Sequence, residues 1–91
     1  MKTIYRYKIP EFGEELKLPK GAKILTAQLK DDEGICIWAL VDTDNSLETR
    51  RVIIRGTGWK LDDIMEEKIS YIATIQQEGY VWHVIEVNPP I

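Results

Sequence analysis

The sequence predicts an all-β, mainly antiparallel domain: a compact β-sandwich or partly open barrel of six to seven short strands. Three observations predict it. Apolar and polar residues alternate with period two almost throughout. Turn residues punctuate the runs at Pro19-Lys20-Gly21, Asp31–Gly34 and Glu78-Gly79. Helical spacing is confined to Leu61, Ile64, Met65 and Lys68, so at most one short helix is expected, near 61–68. The 91 residues form a single small β domain, 1–91, with no linker, repeat or low-complexity stretch.

The first strand spans about Lys2–Ile9, with Tyr5, Tyr7 and Ile9 on one face, and Pro10 ends it because proline has no ladder donor. Glu14–Leu18 is a short extended piece. Pro19-Lys20-Gly21 then turns the chain, proline presetting φ at the second position and glycine accepting positive φ at the third. Lys23–Lys30 places Leu25, Ala27 and Leu29 inward. In Ile35–Asp42 both faces are apolar: Ile35, Ile37, Ala39 and Val41 on one, Cys36, Trp38 and Leu40 on the other. Asp42–Glu48 is a polar loop. Thr49–Gly56 carries Val52 and Ile54 on one face and Arg51, Ile53 and Arg55 on the opposite one. Ile69–Gln77 and Tyr80–Val87 form a hairpin about Glu78-Gly79, whose two-residue turn needs positive φ. Asn88-Pro-Pro-Ile91 is a tail that stops the sheet.

A sandwich needs one apolar face per strand, and a second apolar set is left over: Trp38, Leu40, Ile53, Ile72, and either Val81 with Ile85 or Tyr80 with Trp82. Exposed together, these would form an interface patch, so Trp38, Leu40, Ile53, Ile72, Tyr80 and Trp82 are the expected interface of a homo-oligomer. The alternative is that they pack beneath the 59–68 segment and the tail.

Net charge is −3. Residues 1–30 carry seven Lys/Arg and three Glu; residues 31–91 carry five Lys/Arg and twelve Asp/Glu. A bulk nucleic-acid binder needs a basic surplus that the chain lacks, so no nucleic acid is expected as partner. No apolar run reaches the length of a membrane span, and the N-terminus has no apolar h-region, so neither a membrane nor a signal peptide is expected. The single cysteine closes no intrachain bridge, which fits a cytoplasmic location.

Cys36 and His83 lie mid-strand in apolar alternation, a poor setting for a nucleophile and its base. Asp42, Asp44, Ser46 and Glu48 alternate as a calcium loop would, but the loop glycine and the twelfth-position acid are missing. No catalytic, metal or cofactor signature stands out, and the chain reads as a non-enzyme. The strongest constellation is cationic. Arg51 and Arg55 share one strand face about 13 Å apart by strand rise, with Arg50 and Lys60 nearby. Guanidinium forks suit phosphate or carboxylate, and Trp38 or Trp59 would stack a ring. Gly56, Thr57 and Gly58 before Trp59 are a thin echo of an anion-cradling corner; Asp62 and Asp63 close by would repel phosphate, and the alternative is a β-corner where glycine permits a bend. The competing reading pairs the arginines with the many acids.

Met1-Lys-Thr-Ile-Tyr5, Pro19-Lys-Gly-Ala-Lys-Ile-Leu25, Trp38-Ala-Leu-Val-Asp42, Arg55-Gly-Thr-Gly58 and His83-Val-Ile-Glu86 resemble a family of small bacteriophage and prophage proteins of unknown function. The family often has His-Pro after the Gly-Thr-Gly; here Trp59-Lys60 stands instead, and no catalytic residue carries over. The resemblance implies a phage-type accessory protein in the host bacterial cytoplasm, of the class that blunts host defences. The expectation is therefore a non-enzymatic homo-oligomer that sequesters a small anionic, nucleotide-like ligand. Alternatives are a protein–protein inhibitor of a host defence protein or a minor virion or assembly component.

Overall fold

The computed structural model describes residues 1–88. Residues 89–91, most of the expected tail, lie outside the described residues. Seven strands run in order β1 (Lys2–Lys8), β2 (Gly13–Pro19), β3 (Lys23–Lys30), β4 (Gly34–Asp42), β5 (Leu47–Gly56), β6 (Ile69–Gln77) and β7 (Tyr80–Val87). Every pairing is antiparallel. They form two sheets, three-stranded β1-β4-β3 and four-stranded β2-β5-β7-β6, facing each other as a sandwich rather than a closed barrel.

The main core lies between the sheets. Ile35, Ile37, Ala39 and Val41 of β4 meet Leu16, Leu18, Val52, Ile54, Ile75 and Val84 of the other sheet. Each strand contributes alternate residues because its side chains point to opposite faces in turn. β4 sits centrally in its sheet; its inward residues fill the core, while of its outward ones Cys36 is buried and Leu40 exposed.

Two bulges shift the expected phase. In β3, Ile24 pairs with inward Ala39 and, past the bulge, Ala27 pairs with inward Ile37, so Leu25 falls in the bulge and is exposed instead of inward; Leu29, opposite Ile35, keeps its expected phase but is 37% exposed. In β6 the register slips between Tyr71 and Ala73, and Ile72 turns to pack on the main core. One extra residue puts the side chains before and after it in opposite phase, which alternation alone does not announce.

The turns follow their chemistry. Glu78 and Gly79 have φ of 46° and 88°, as a two-residue hairpin demands. The expected Pro19 turn falls one residue later: Ala22 N–H bonds Pro19 O at 3.0 Å, so proline takes the first position, and Gly21 the third with φ of 80°.

The segment between β5 and β6 is irregular apart from one 3-10 turn, Glu66–Lys68. It folds back on the outer face of the four-stranded sheet, where Ile64, with Leu61 and Ile69, covers Ile53, Ile85 and Val87. Ile53 is only 3% exposed. Part of the second apolar set is therefore hidden by the chain itself: Ile53 under this flap, and Ile72, half-buried, against the main core. The remainder divides between two places. Leu40 and half-buried Trp38 face outward from the three-stranded sheet, and Tyr80 and Trp82 join an aromatic cluster. No helix among the described residues is long and apolar enough to cross a membrane.

Candidate functional site

The site begins with the close approach of β2 to β5. Gly13 has φ of 92°, and a Cβ there would sit 2.3 Å from Ile53 Cα, so only glycine fits. The preceding Phe12 takes φ of 61°, and its carbonyl accepts Ile54 N–H at 3.1 Å. This crossing opens a trough of about 690 Å³ on the outer face of the four-stranded sheet, lined by Phe12, Gly13, Glu15, Lys17, Arg51, Ile53 and Arg55.

Among the described residues, three cations line the trough against one carboxylate, Glu15. Arg51 makes no ion pair among the described residues. Arg55 reaches Asp63 of the flap at 3.5 Å, a long contact to an exposed carboxylate that competing anions would displace at little cost. Lys17 Nζ donates to Thr49 Oγ1.

Arg50 belongs elsewhere. It points to the inner face and donates through Nε and Nη2 to both Glu86 carboxylate oxygens, with Nη1 donating to Ala22 O at 2.7 Å. The Glu86 hydrogen bonds raise the guanidinium pKa, outweighing the opposite effect of burial. Glu86 is 5% exposed, so the pair closes one end of the sandwich as structure and has no free valence for a ligand.

The Gly56–Trp59 corner has a different use from an anion cradle. Trp59 lies on Gly56, where a Cβ would come within 2.7 Å of indole Nε1. The N–H groups of Thr57 and Trp59 are committed to Val81 O and Gly56 O. Gly58, with φ of 87°, completes the bend. The corner thus seats an indole against the sheet. Trp59 meets Phe12 at 5.4 Å between ring centroids and Trp82 edge-on at 5.4 Å, while Tyr80 stacks on Trp82 at 5.7 Å and 17°. Trp59, Tyr80 and Trp82 line a cleft of about 250 Å³ beside Thr57. Phe12 joins this aromatic cluster to the cationic trough. Alternation gave no sign of that role; the signal was a lone phenylalanine before a glycine.

Of the residues expected to share one site, the structure gathers Arg51 and Arg55 in the trough; Trp59 lies on the inward side of Gly56 and reaches the trough only by its contact with Phe12. Trp38 is on the outer face of the other sheet, so it cannot stack a ligand held by these arginines in the same chain. Lys60 is exposed on the flap and does not line the trough.

Cys36 and His83 take the outward phase of opposite sheets, so they form no nucleophile–base pair. Cys36 is buried, and desolvation pushes its thiol pKa up, favouring the unreactive form. His83 instead joins a polar chain that sequence reading missed. Its Nε2 is 2.6 Å from Thr57 Oγ1, its Nδ1 is 2.6 Å from Tyr71 OH, and Tyr71 OH contacts Thr74 Oγ1. Asp42 and Asp44 take the N-terminal ammonium at 3.2 and 2.9 Å. The Asp44 N–H and then that ammonium hold the Asp42 carboxyl below its usual range. Among the described residues no group of three or more His, Cys, Asp or Glu is placed to hold a metal ion.

A family model matches residues 1–91, the whole chain, under the description Domain of unknown function (DUF7352). The chain belongs to the DUF7352 family. This agrees with the resemblance read from the sequence in being an uncharacterised family that spans the chain. A search of curated proteins found no match. A search of solved structures found none either.

Proposed function

We propose that this DUF7352 protein is a non-enzymatic binding protein that takes up a small anionic, nucleotide-like ligand and acts as a homo-oligomer. One observation carries the reading: Arg51, Arg55 and Lys17 line a single open trough whose wall, Phe12, touches Trp59. Guanidinium groups bind phosphate oxygens bidentately, and an indole or phenyl ring stacks a base. A trough with cations in it and a phenyl ring in its wall suits a ligand with an anionic head and a flat ring. The setting we propose is a phage-encoded accessory protein in the host cytoplasm, acting by sequestering such a ligand, a nucleotide signal of host defence being one example.

Thermal-shift measurements with a panel of linear and cyclic nucleotides test this. A ligand at a hundred times its Kd stabilises by about 2.7 kcal/mol, which raises the Tm of a chain this small by roughly 10–20 °C. We expect such a shift for at least one nucleotide, and its loss in Arg51→Ala. A well-folded protein that no nucleotide stabilises contradicts the reading.

A second reading, a protein–protein inhibitor of a host protein, is favoured by the exposed rings of Phe12, Trp59 and Tyr80, since aromatic side chains anchor interfaces. On that reading Trp59→Ala abolishes capture of a host protein, while Arg51→Ala leaves it intact.

A further inference from the structure

We infer that copies of this chain associate head to tail, the outer face of the β1-β4-β3 sheet on one copy receiving the acidic flap of the next. The inference rests on the homo-oligomer part of the reading above and is independent of the ligand.

The receiving face has an apolar centre. Trp38 and Leu40 of β4 point outward, and Ile4 of β1 stands opposite Leu40. Leu40 is 40% and Ile4 54% exposed, and no segment of the chain covers them as the flap covers Ile53. Around this centre stand Lys2 and Lys8 on β1 and Lys23 and Lys30 on β3, all exposed and in no ion pair among the described residues. Arg6 on the same face is already paired with Glu33 at 2.9 Å. The basic surplus of residues 1–30 is thus partly concentrated on one sheet face.

That surface does not suit a mate identical to itself. A symmetric face-to-face dimer would set four lysines against four lysines, and like charges across an interface are unfavourable. The complement lies on the opposite side of the molecule. The flap presents exposed Asp62, Glu66 and Glu67, unpaired among the described residues, around Met65, which is 59% exposed. A methionine is an adaptable apolar plug for a flat greasy surface. The carboxylates around it match the lysine rim. Complementary surfaces on opposite sides of one subunit give a heterologous contact, which closes into a ring or runs on as a filament.

Light scattering after size exclusion tests this with four samples. The wild type should assemble beyond a dimer in about 0.01 M salt, where the screening length is roughly 30 Å, and come apart in about 1 M, where it is roughly 3 Å. K8E/K23E and E66K/E67K, which alter exposed side chains only, should each be monomeric, with circular dichroism confirming the fold. Mixed one to one, they should reassemble, because each supplies the charge the other reversed. Leu40→Asn, which adds no charge, should also dissolve the assembly and serves if a charge reversal unfolds the chain. A wild type that stays monomeric overturns both the inference and the homo-oligomer reading. An assembled wild type whose state E66K/E67K leaves unchanged, or a mixture that stays monomeric, overturns the inference alone.

Discussion

Gly13 shows how much one residue decides. Its missing side chain lets β2 lie against Ile53, which brings Phe12 and Lys17 beside Arg51. A methyl group there meets backbone, which cannot move aside as a side-chain tip would, and the φ of 92° is unfavourable for any L side chain. Gly13→Ala should therefore lower stability by about 2–4 kcal/mol in urea denaturation, at the upper end of single substitutions. A loss under about 0.5 kcal/mol would mean the crossing is looser than described. The sequence showed the glycine but not this contact, because nothing local marks which strand a glycine will approach. The Arg51, Ile53, Arg55 face, in contrast, was legible, since strand alternation alone places those side chains together.

At the scale of elements, adjacent arginines on β5 have opposite fates. Arg50 turns inward to Glu86 and Arg51 outward to the trough, as successive strand residues must. The sequence grouped them as one cationic cluster. Only the pairing of β5 with β7, which sets Glu86 across from Val52, separates the structural arginine from the candidate ligand-binding one. A buried pair that loses one partner leaves an uncompensated charge, at a cost of about 3–5 kcal/mol. Glu86→Ala should fall in that range in urea denaturation, discounted somewhat because the Arg50 side chain keeps 15% exposure. Arg51→Ala should change stability by less than about 0.5 kcal/mol. Equal losses in the two variants would show that the assignment of roles is wrong. The hairpin, the absence of a full helix and the alternating core were readable from local chemistry. The two bulges, and with them the positions of Leu25 and Ile72, were not, because a bulge conserves composition while inverting phase.

The whole molecule is a sandwich whose two outer faces differ in charge and in cover. One outer face is closed by the acidic flap and bears the trough beside it; the other is apolar at its centre, basic at its rim and uncovered. The excess of apolar strand surface was visible in β4 and β5 as double-sided patterns. Its division into a part the flap hides and a part left open depends on where an irregular segment docks, which periodicity does not encode. The same division separates Trp38 from Trp59, two residues that seemed interchangeable as stacking partners in the sequence. The chain's three tryptophans therefore report different places: Trp59 and Trp82 in the aromatic cluster that Phe12 joins to the trough, Trp38 on the far sheet. The most direct measurement is a two-dimensional proton–nitrogen NMR titration of the monomeric K8E/K23E variant with the nucleotide panel at low salt, where ionic contacts to a ligand are least screened. The account predicts that a nucleotide moves the signals of Lys17, Arg51, Arg55 and the Trp59 indole N–H while the Trp38 indole N–H stays in place. No movement with any nucleotide, or movement centred on Trp38, would contradict it.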